Sequence, residues 1–348
     1  MRFNIAKIKE YIKLNINKII VILSLILFIT IVFIYIYYKI KPSENFTESN
    51  ITNNSNNIID PNENNVFLYW IGNDYKLIKI LREIIYLHSN NGKNYKVYLI
   101  NKDNINIYIK DLPEYFYELH PSHQADFVRV NIVCDYGGIW LDSDTLVMDN
   151  LNRLFDIIKN KDGFFILENN ENLSNGVFGS KSNTPLMLQW KKQILEILNN
   201  KKKNIEWTEI GHNLLENIKK HNPEYYNNYE IFKGLDNMYP VNWNNCVEEM
   251  ITKPYDNYKT FEKEFQPILV LVNSVYKELD KYSEDEILRS NYPLNYFINK
   301  SFTNYNNIYN TNTNTNTNTN TNTNTNTNTN TNTNTNTTIT NTNIKLGI

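Results

Sequence analysis

Two carboxylates, Asp142 and Asp144, follow directly on the apolar run Ile139–Leu141. If the chain is extended there, side chains two residues apart project to the same face. If it turns, both still lie at the carboxyl edge of a strand, where the ligands of α/β domains bind. Their oxygens suit Mg²⁺ or Mn²⁺, and such an ion neutralises the charge that builds on a departing diphosphate. By itself, an Asp-x-Asp pair is more often two solvated loop carboxylates, so its surroundings must decide.

A second charged pair precedes these carboxylates. The residue pattern predicts a helix over Ser122–Tyr136 that ends at Gly137. Asp126 and Arg129 are three residues apart on that helix and therefore share one face. Two interpretations are open: a surface ion pair on a helix whose other face packs into the core, or a pair of groups that faces a ligand.

The remaining apolar patterns predict strands and helices that alternate along the chain. The predicted strands are Val66–Ile71, Lys96–Ile100, Ile139–Leu141, Thr145–Val147, Gly163–Leu167 and Val177–Phe178. Two further helices are predicted, Lys76–His88 and Pro185–Leu198, the second with proline in its first turn. Alternation of this kind predicts an α/β domain with a mainly parallel central sheet.

The segment Ile19–Tyr38 is apolar throughout except for Ser24 and Thr30. Twenty residues of helix span roughly 30 Å, which is the thickness of a bilayer core. The segment ends in bulky tyrosines, Tyr35, Tyr37 and Tyr38, instead of leading into the small residues of a cleavage site, so it predicts an uncleaved transmembrane anchor. Five Lys and Arg residues precede it and two follow closely. This bias predicts a type II protein whose chain after the segment lies in the lumen, in membranes of the Golgi or ER type.

The flanking regions divide the rest of the chain. Residues 1–18 are predicted to be cytosolic, and the polar residues 39–64 to form a flexible stem. Residues 65–308 form the predicted globular domain, and 309–348 carry a Thr-Asn repeat that predicts a disordered tail. The two cysteines, Cys134 and Cys246, either pair in an oxidising lumen or are separate buried thiols.

Several classes of protein are disfavoured. The formal net charge of −2 gives no basic excess, which argues against nucleic-acid binding. The sequence has no Gly-rich phosphate-binding motif, and its five histidines are scattered. A phosphatase of the haloacid dehalogenase type also begins with Asp-x-Asp after an apolar strand. That motif requires Thr or Val at the position of Leu146. Its carboxylates also come at the beginning of the fold, whereas the pair in this chain follows a predicted helix.

Taken together, Ala125-Asp-x-x-Arg and Tyr136-Gly-Gly-Ile-Trp-Leu-Asp-x-Asp resemble the signature of the DXD-containing sugar-binding glycosyltransferases. That family includes fungal initiating α-1,6-mannosyltransferases, inositol-phosphoceramide mannosyltransferases, animal α-1,4-galactosyl and N-acetylglucosaminyl transferases, and capsular polysaccharide transferases. The resemblance implies a GT-A-type nucleotide-sugar-binding domain and retaining chemistry. It further implies a UDP- or GDP-linked sugar donor, a glycan or glycolipid acceptor, and Mn²⁺ or Mg²⁺ as cofactor.

The resemblance also implies roles for individual residues. Asp144 corresponds to the aspartate that binds the metal directly, and Asp142 to the one that contacts the donor and shares in holding the metal-diphosphate. Asp126 and Arg129 correspond to the pair that holds the donor sugar and diphosphate, with Arg129 also stabilising charge in the reaction. Two more positions match donor-binding residues: Trp70, which would stack on the base, and Asn175, which would lie near the sugar. The alternatives are a core tryptophan at a strand end and an ordinary turn.

The chain departs from the family pattern at two places. His212 stands where proline is usual, and Asn273–Lys277 lacks a histidine that animal members carry near the diphosphate. His212 is expected either on a helix surface or in contact with substrate or metal. These departures leave a second interpretation open, in which a membrane protein with a GT-A fold binds glycans or a partner without turnover.

Overall fold

The computed structural model describes residues 59–168, 172–201, 204–234, 238, 245, 247–253, 261–262, 265–271 and 276–309. The predicted anchor at 19–38, the cytosolic segment, most of the stem and the Thr-Asn tail lie outside these residues, as does Cys246. In the described part of the chain, no helix is both long and apolar enough to cross a membrane. Cys134 is a buried free thiol, and burial raises its pKa to about 11.

The centre of the fold is a mixed sheet in the order β2-β1-β3-β6-β5-β7, with a separate pair, β4 and β8. The strands are β1 (Asn65–Tyr69), β2 (Lys96–Ile100), β3 (Gly138–Leu141), β4 (Thr145–Val147), β5 (Gly163–Glu168), β6 (Asn172–Ser180), β7 (Tyr229–Lys233) and β8 (Ile268–Val270). Three pairings in the large sheet are parallel: β1 with β2, β1 with β3, and β5 with β7. Strand β6 is antiparallel to both of its neighbours, β3 and β5.

This topology brings two strand ends together. Strands β1 and β3 are parallel neighbours, with Phe67 opposite Trp140, and the chain order reverses between them because β2 lies beyond β1. Ligands of open α/β sheets bind in the crevice at such a reversal, outside the carboxyl ends of the strands. The residues that follow these two ends are Trp70 and Asp142.

The α-helices of the described residues are α1 (Lys76–His88), α2 (Ile105–Tyr108), α3 (Pro121–Tyr136), α4 (Asn152–Asn160), α5 (Pro185–Lys201), α6 (His212–His221), α7 (Glu284–Arg289) and α8 (Pro293–Tyr309). Three of them, α1, α3 and α5, match the predicted ones closely. Helix α3 begins one residue before the predicted start and ends at the predicted glycine. Strands β7 and β8 and helices α2, α4 and α6 to α8 were not predicted.

Both faces of the sheet are buried. One face packs against α3, α5 and α6 in a cluster that includes Phe67, Trp140, Phe165, Phe178 and Trp190, all fully buried. The alternate residues of β1 point to the opposite face and are equally buried, which explains why that strand is apolar at nearly every position. The result is an α/β arrangement of three layers that confirms the predicted fold class.

The junction between α3 and β3 depends on two consecutive glycines. Gly137 ends the helix with a φ of +68°, and Gly138 follows with a φ of +124°. A Cβ atom on Gly138 would lie 2.5 Å from the backbone oxygen of Asn65 on β1. This close approach lets β3 pair with β1 directly after the helix, and it therefore positions the start of the strand that leads to Asp142.

The last described helix, α8, is attached to the rest of the fold through a buried histidine. His88 at the end of α1 forms a 2.9 Å hydrogen bond through Nε2 with the Ser301 hydroxyl of α8. That hydroxyl donates to the backbone oxygen of Val147 in β4 at 2.6 Å. Burial lowers the pKa of His88 to about 4, so the imidazole is neutral in the folded chain at neutral pH.

We expect Gly138→Ala to lower the free energy of unfolding by about 3–5 kcal/mol, because the new methyl group meets backbone and the φ angle is unfavourable. Gly72→Ala is the matched control, since Gly72 also has a positive φ, +97°, but nothing within 4 Å of its Cβ position. That control should cost only about 1–2 kcal/mol. Urea unfolding followed by circular dichroism measures both, and equal losses would show that the contact with Asn65 is unimportant.

We expect acid to weaken the fold through His88. The histidine of the unfolded chain titrates near its ordinary pKa of 6.5. Between pH 6.5 and 4 the unfolded chain therefore binds a proton that the folded chain does not, and the free energy of unfolding decreases as the pH is lowered. From pH 7.5 to 5 this site should cost about 2 kcal/mol. His88→Gln removes the titration and should flatten the pH dependence of unfolding by that amount. Identical pH slopes for the two proteins would contradict the assignment.

Candidate active site

A cavity of about 320 Å³ opens beside the carboxyl end of β3. Its wall includes four of the residues singled out in the sequence together with Asn175, which brings five of the six predicted site residues to one place. The lining residues are Ser122, Asp126, Arg129, Asp142, Asp144, Glu168, Ser174, Asn175, Gly176, Trp207, Thr208, Gly211, His212, Val270 and Leu271. A cavity of this size suits a small polar ligand.

The two carboxylates of the Asp-x-Asp pair lie on a tight turn between β3 and β4. The amide of Thr145 donates to the backbone oxygen of Asp142 at 2.9 Å, which closes the turn. The hydroxyl of Ser143 points away from the cavity and donates to the backbone oxygen of Tyr69 at the end of β1, at 3.2 Å. The turn is therefore anchored to the neighbouring strand, and both aspartates, each half-buried, line the cavity.

Arg129 joins the two acidic groups of the site. Its guanidinium lies 3.2 Å from Oδ1 of Asp126 and 3.1 Å from Oδ1 of Asp142. The same Asp142 oxygen also accepts from the indole Nε1 of Trp140 at 2.8 Å. Arg129 and Asp126 are only 5% and 4% exposed, so they form a buried network at the cavity wall and not a surface ion pair. The charged face of α3 thus faces the cavity.

Strand β6 completes this network through Asn175. Its side-chain Nδ2 donates to Asp126 at 2.7 Å, and its backbone oxygen accepts from Arg129 at 2.8 Å. Two glycines let these groups approach so closely. A Cβ atom on Gly176 would lie 2.8 Å from an Asp142 carboxylate oxygen, and one on Gly211 would lie 2.3 Å from Nδ2 of Asn175. Asn175 therefore lies within strand β6 and not in a turn, and its side chain is part of the cavity wall.

The surroundings of the Asp126 and Asp142 carboxylates disfavour their ionised forms. Burial raises the pKa of Asp126 to about 6, against the opposite effect of Arg129. Burial also raises the pKa of Asp142, although 35% of that side chain remains open to the cavity; Arg129 and the hydrogen bond from Trp140 act in the other direction. Raised carboxylate pKa values in a cleft, with a specific charged partner, are typical of functional sites.

The cavity wall is strongly acidic. Among the described lining residues, Asp126, Asp142, Asp144 and Glu168 stand against the single guanidinium of Arg129, a formal charge of −3 when all are ionised. That guanidinium is already shared by two of the carboxylates. A phosphate-bearing ligand would therefore be repelled unless a cation entered with it.

The donor set fits a divalent cation that is only partly held by protein. Within the described residues, no cluster of three or more His, Cys, Asp or Glu side chains is arranged to hold a metal. Mg²⁺ commonly takes one or two carboxylates and completes its shell with water and substrate phosphates. Asp144 and Asp142 offer that number of ligands on one turn, and residues 272–275, which follow the cavity residue Leu271, lie outside the described part.

Trp70 occupies a different position from the other predicted site residues. It directly follows β1, at the same sheet edge as Asp142, but it does not line the cavity. Its ring packs edge-on against Tyr75 with centroids 6.2 Å apart. Its buried Nε1 has no hydrogen-bond partner among the described residues. The structure thus places this half-buried side chain at the strand-end crevice, next to the acidic cavity.

His212 begins helix α6 and lines the cavity. Its Nδ1 lies 3.0 Å from the backbone oxygen of Leu173. A carbonyl oxygen only accepts, so Nδ1 carries the proton and Nε2 of the neutral ring is an acceptor. The amide of Leu173 donates in turn to Glu216, one helical turn further along α6, at 2.8 Å. The histidine that replaces the usual proline therefore holds the start of β6 and faces the cavity.

Several lining residues were not predicted from the sequence. Glu168 ends β5, Val270 ends the short strand β8, and Leu271 follows it. Strand β8 pairs with β4, which begins directly after Asp144. Ser122 and Thr208 carry no motif of their own. Trp207 and Gly211 shortly precede His212, which is the one residue of this stretch that the sequence analysis singled out.

Solved structures similar to this chain include several glycosyltransferases. One is a glycosyltransferase involved in the glycosylation of the major capsid of PBCV-1, with 12% identity, a TM-score of 0.39, and coverage of 63% of this chain and 98% of that one. The galactosyltransferase LgtC in complex with donor and acceptor sugar analogues has 10% identity, a TM-score of 0.36, and coverage of 69% and 95%. Mouse xyloside xylosyltransferase 1 has 10% identity, a TM-score of 0.34, and coverage of 60% and 97%.

Among curated protein sequences, none matches the chain. The model of one family, described as capsular polysaccharide synthesis protein, matches residues 33–292, which is well over half of the chain and contains the whole cavity lining. The family assignment rests on that match and not on the structural similarities. The chain is a member of the capsular polysaccharide synthesis protein family.

Proposed function

We propose that this protein is a metal-dependent glycosyltransferase of GT-A type, which moves a hexosyl unit from a nucleotide-diphosphate sugar to a hydroxyl group of a glycan or glycolipid. The observation that carries the proposal is the network of Asp126, Arg129, Asp142 and Asn175 beside Asp144 in one cavity. The family is described as one of capsular polysaccharide synthesis proteins, and this description supports the same class of reaction.

The inner part of the network suits the donor sugar. Sugar hydroxyl groups both donate and accept hydrogen bonds. Asp126 presents an acceptor, Asn175 an amide and Arg129 a donor, and the carboxylate of Asp126 is in direct contact with both of the other side chains. These side chains are already fixed by mutual hydrogen bonds of 2.7–3.2 Å. A preorganised set of this kind orients the anomeric carbon without further ordering of side chains.

Asp144 and Asp142 are proposed to hold Mn²⁺ or Mg²⁺ together with the donor diphosphate. When bound, the ion supplies positive charge that offsets both the acidic wall and the charge on the leaving nucleotide diphosphate. The site's own cation, Arg129, lies 3.1 Å from Asp142 and so keeps that carboxylate in place. Its remaining Nε–H is buried and has no hydrogen-bond partner among the described residues.

In the proposed reaction, the acceptor oxygen forms a bond to the anomeric carbon while the bond from that carbon to the diphosphate oxygen breaks. The acceptor hydroxyl proton leaves to the diphosphate or solvent. Retention of the anomeric configuration is proposed on the family resemblance, and the described residues do not single out a protein nucleophile. UDP- and GDP-linked donors are both compatible with the site.

We expect full-length protein to release nucleotide from one member of a panel of UDP- and GDP-linked hexoses, and only with Mn²⁺ or Mg²⁺ present. Asp144→Asn removes a charged metal ligand and should lower kcat/KM by about 100-fold or more. Asp156→Asn is the matched control, because Asp156 is 65% exposed on α4, outside the cavity, and should retain activity within about twofold. Nucleotide release is measured by coupled assay.

Absence of release from every donor, with no metal-dependent nucleotide binding, would contradict the enzymatic proposal. That result would favour a non-catalytic family member that binds glycans or a partner. Nucleotide release that is unchanged in Asp144→Asn would instead contradict the role of the Asp-x-Asp turn, although the glycosyltransferase activity itself would stand.

We also propose that residues 19–38 anchor the protein as a type II membrane protein, with the catalytic domain in the lumen. The apolar run and the five preceding basic residues support this. We expect alkaline carbonate to leave the full-length protein in the membrane. Protease added to sealed vesicles should remove an N-terminal epitope and spare a C-terminal one. Release by carbonate, or digestion of the C-terminal epitope, would contradict the topology.

A further inference from the structure

An exposed tryptophan lies at the cavity. Trp207 is 65% exposed, which is the highest fraction for any large apolar side chain in the described part of the chain. Single exposed apolar side chains are common, but this one is also part of the cavity lining. An indole that stays exposed beside a polar cavity offers a flat apolar face to whatever the cavity binds.

The indole is held in place by its surroundings. The ring of His120 packs edge-on against it with centroids 5.1 Å apart, and the ring of His123 lies 6.4 Å away. His123 also contacts the backbone oxygen of Glu206 at 3.1 Å, which fixes the residue before Trp207. His120 directly precedes α3, and His123 lies in the first turn of this helix, which also carries Asp126 and Arg129. The aromatic surface and the charged pair are thus positioned by one element.

The segment that follows Trp207 runs down the cavity wall to the donor-binding groups. Exposure falls along it: Trp207 is exposed, Thr208 is half-buried and Gly211 is buried. At Gly211 the backbone is so close to the network that a Cβ atom would lie 3.0 Å from Oδ1 of Asp126. A ligand that rests on the indole therefore has a continuous path to the network.

Ser122 and Thr208 bring hydroxyl groups to the same cavity lining as Trp207, and His212 brings an imidazole whose Nδ1 lies against the backbone oxygen of Leu173. Hydroxyl groups both donate and accept hydrogen bonds without carrying charge. An aromatic face with neutral donors and acceptors matches a sugar ring, which has one C–H face and hydroxyl groups around its edge.

We propose that the Trp207 side of the cavity is a saccharide subsite, in which a pyranose ring of a glycan stacks its C–H face on the indole. The identification of this ring as the acceptor rests on the proposed function. In that reaction, one hydroxyl group of the ring points toward the donor sugar. The acceptor is accordingly a glycan or glycoside with a terminal pyranose, and His212 accepts a hydrogen bond from it.

The test uses the full-length protein in a detergent without a sugar headgroup, since maltoside or glucoside detergents would occupy the subsite. The probes are the methyl α- and β-pyranosides of glucose, galactose, mannose and N-acetylglucosamine. Saturation-transfer NMR reports binding of each probe without any turnover. Product formation from the active donor, at varied probe concentration, reports the acceptor KM.

We expect Trp207→Ala to raise the acceptor KM at least tenfold and to abolish saturation transfer to the ring protons of the bound probe. Trp207→Phe keeps an aromatic face and should restore most of both signals, which a merely structural loss would not. Tyr117→Ala is the matched control, because Tyr117 is an aromatic residue 45% exposed just before α3 but outside the cavity lining. It should stay within twofold of the unaltered protein.

Two results would overturn the subsite: no saturation transfer from the unaltered protein to any pyranoside, or equal transfer and equal acceptor KM in Trp207→Ala. Either result leaves metal-dependent nucleotide release intact if the proposed function is correct. Conversely, pyranoside binding that is lost in Trp207→Ala, in a protein that turns over no donor, would sustain the saccharide subsite while the proposed function fails.

Discussion

The site depends on the position of one guanidinium. Arg129 lies between Asp126 and Asp142, which come from a helix and from the end of a strand, and it also binds the backbone of β6 through Asn175. Without it, the buried carboxylate of Asp126 would lose its cationic partner and would lie near the half-buried carboxylate of Asp142. Removing one partner from a buried ion pair typically costs about 3–5 kcal/mol. The guanidinium of Arg129 therefore holds α3, β3 and β6 together at the cavity.

The local part of this arrangement could be predicted from the sequence. The spacing of Asp126 and Arg129 on a helix, the Gly137-Gly138 stop and the apolar strand before Asp142 are all short-range signals, and the structure bears out the elements they predict. Parallel pairing of β1 with β3 then brings the two strand ends to one edge. These inferences needed only helical and strand periodicity together with the known behaviour of glycine.

The rest of the site depends on contacts between residues far apart in the chain. Asn175 reaches Asp126 across 49 positions, and the antiparallel pair β4 and β8 joins residues separated by more than a hundred. Three-residue strands carry too few alternations to be seen in a sequence. Helix α8 does repeat its buried residues, Leu294, Phe297, Ile298 and Phe302, at helical spacing. Its many asparagines and aromatic residues are poor helix formers, so burial overrides propensity there.

The attachment of α8 has a consequence for how the protein comes into being. Ser301 and Asn304 donate to the backbone oxygens of Val147 and Met148, just after the Asp-x-Asp turn and more than 150 residues earlier in the chain. On the ribosome, β3 and the turn emerge long before these side chains do. The segment that follows Asp144, from β4 to Met148, therefore lacks two of its hydrogen bonds until the chain has been synthesised as far as α8. A chain that is cut short before α8 would leave the backbone oxygens of Val147 and Met148 without these two donors.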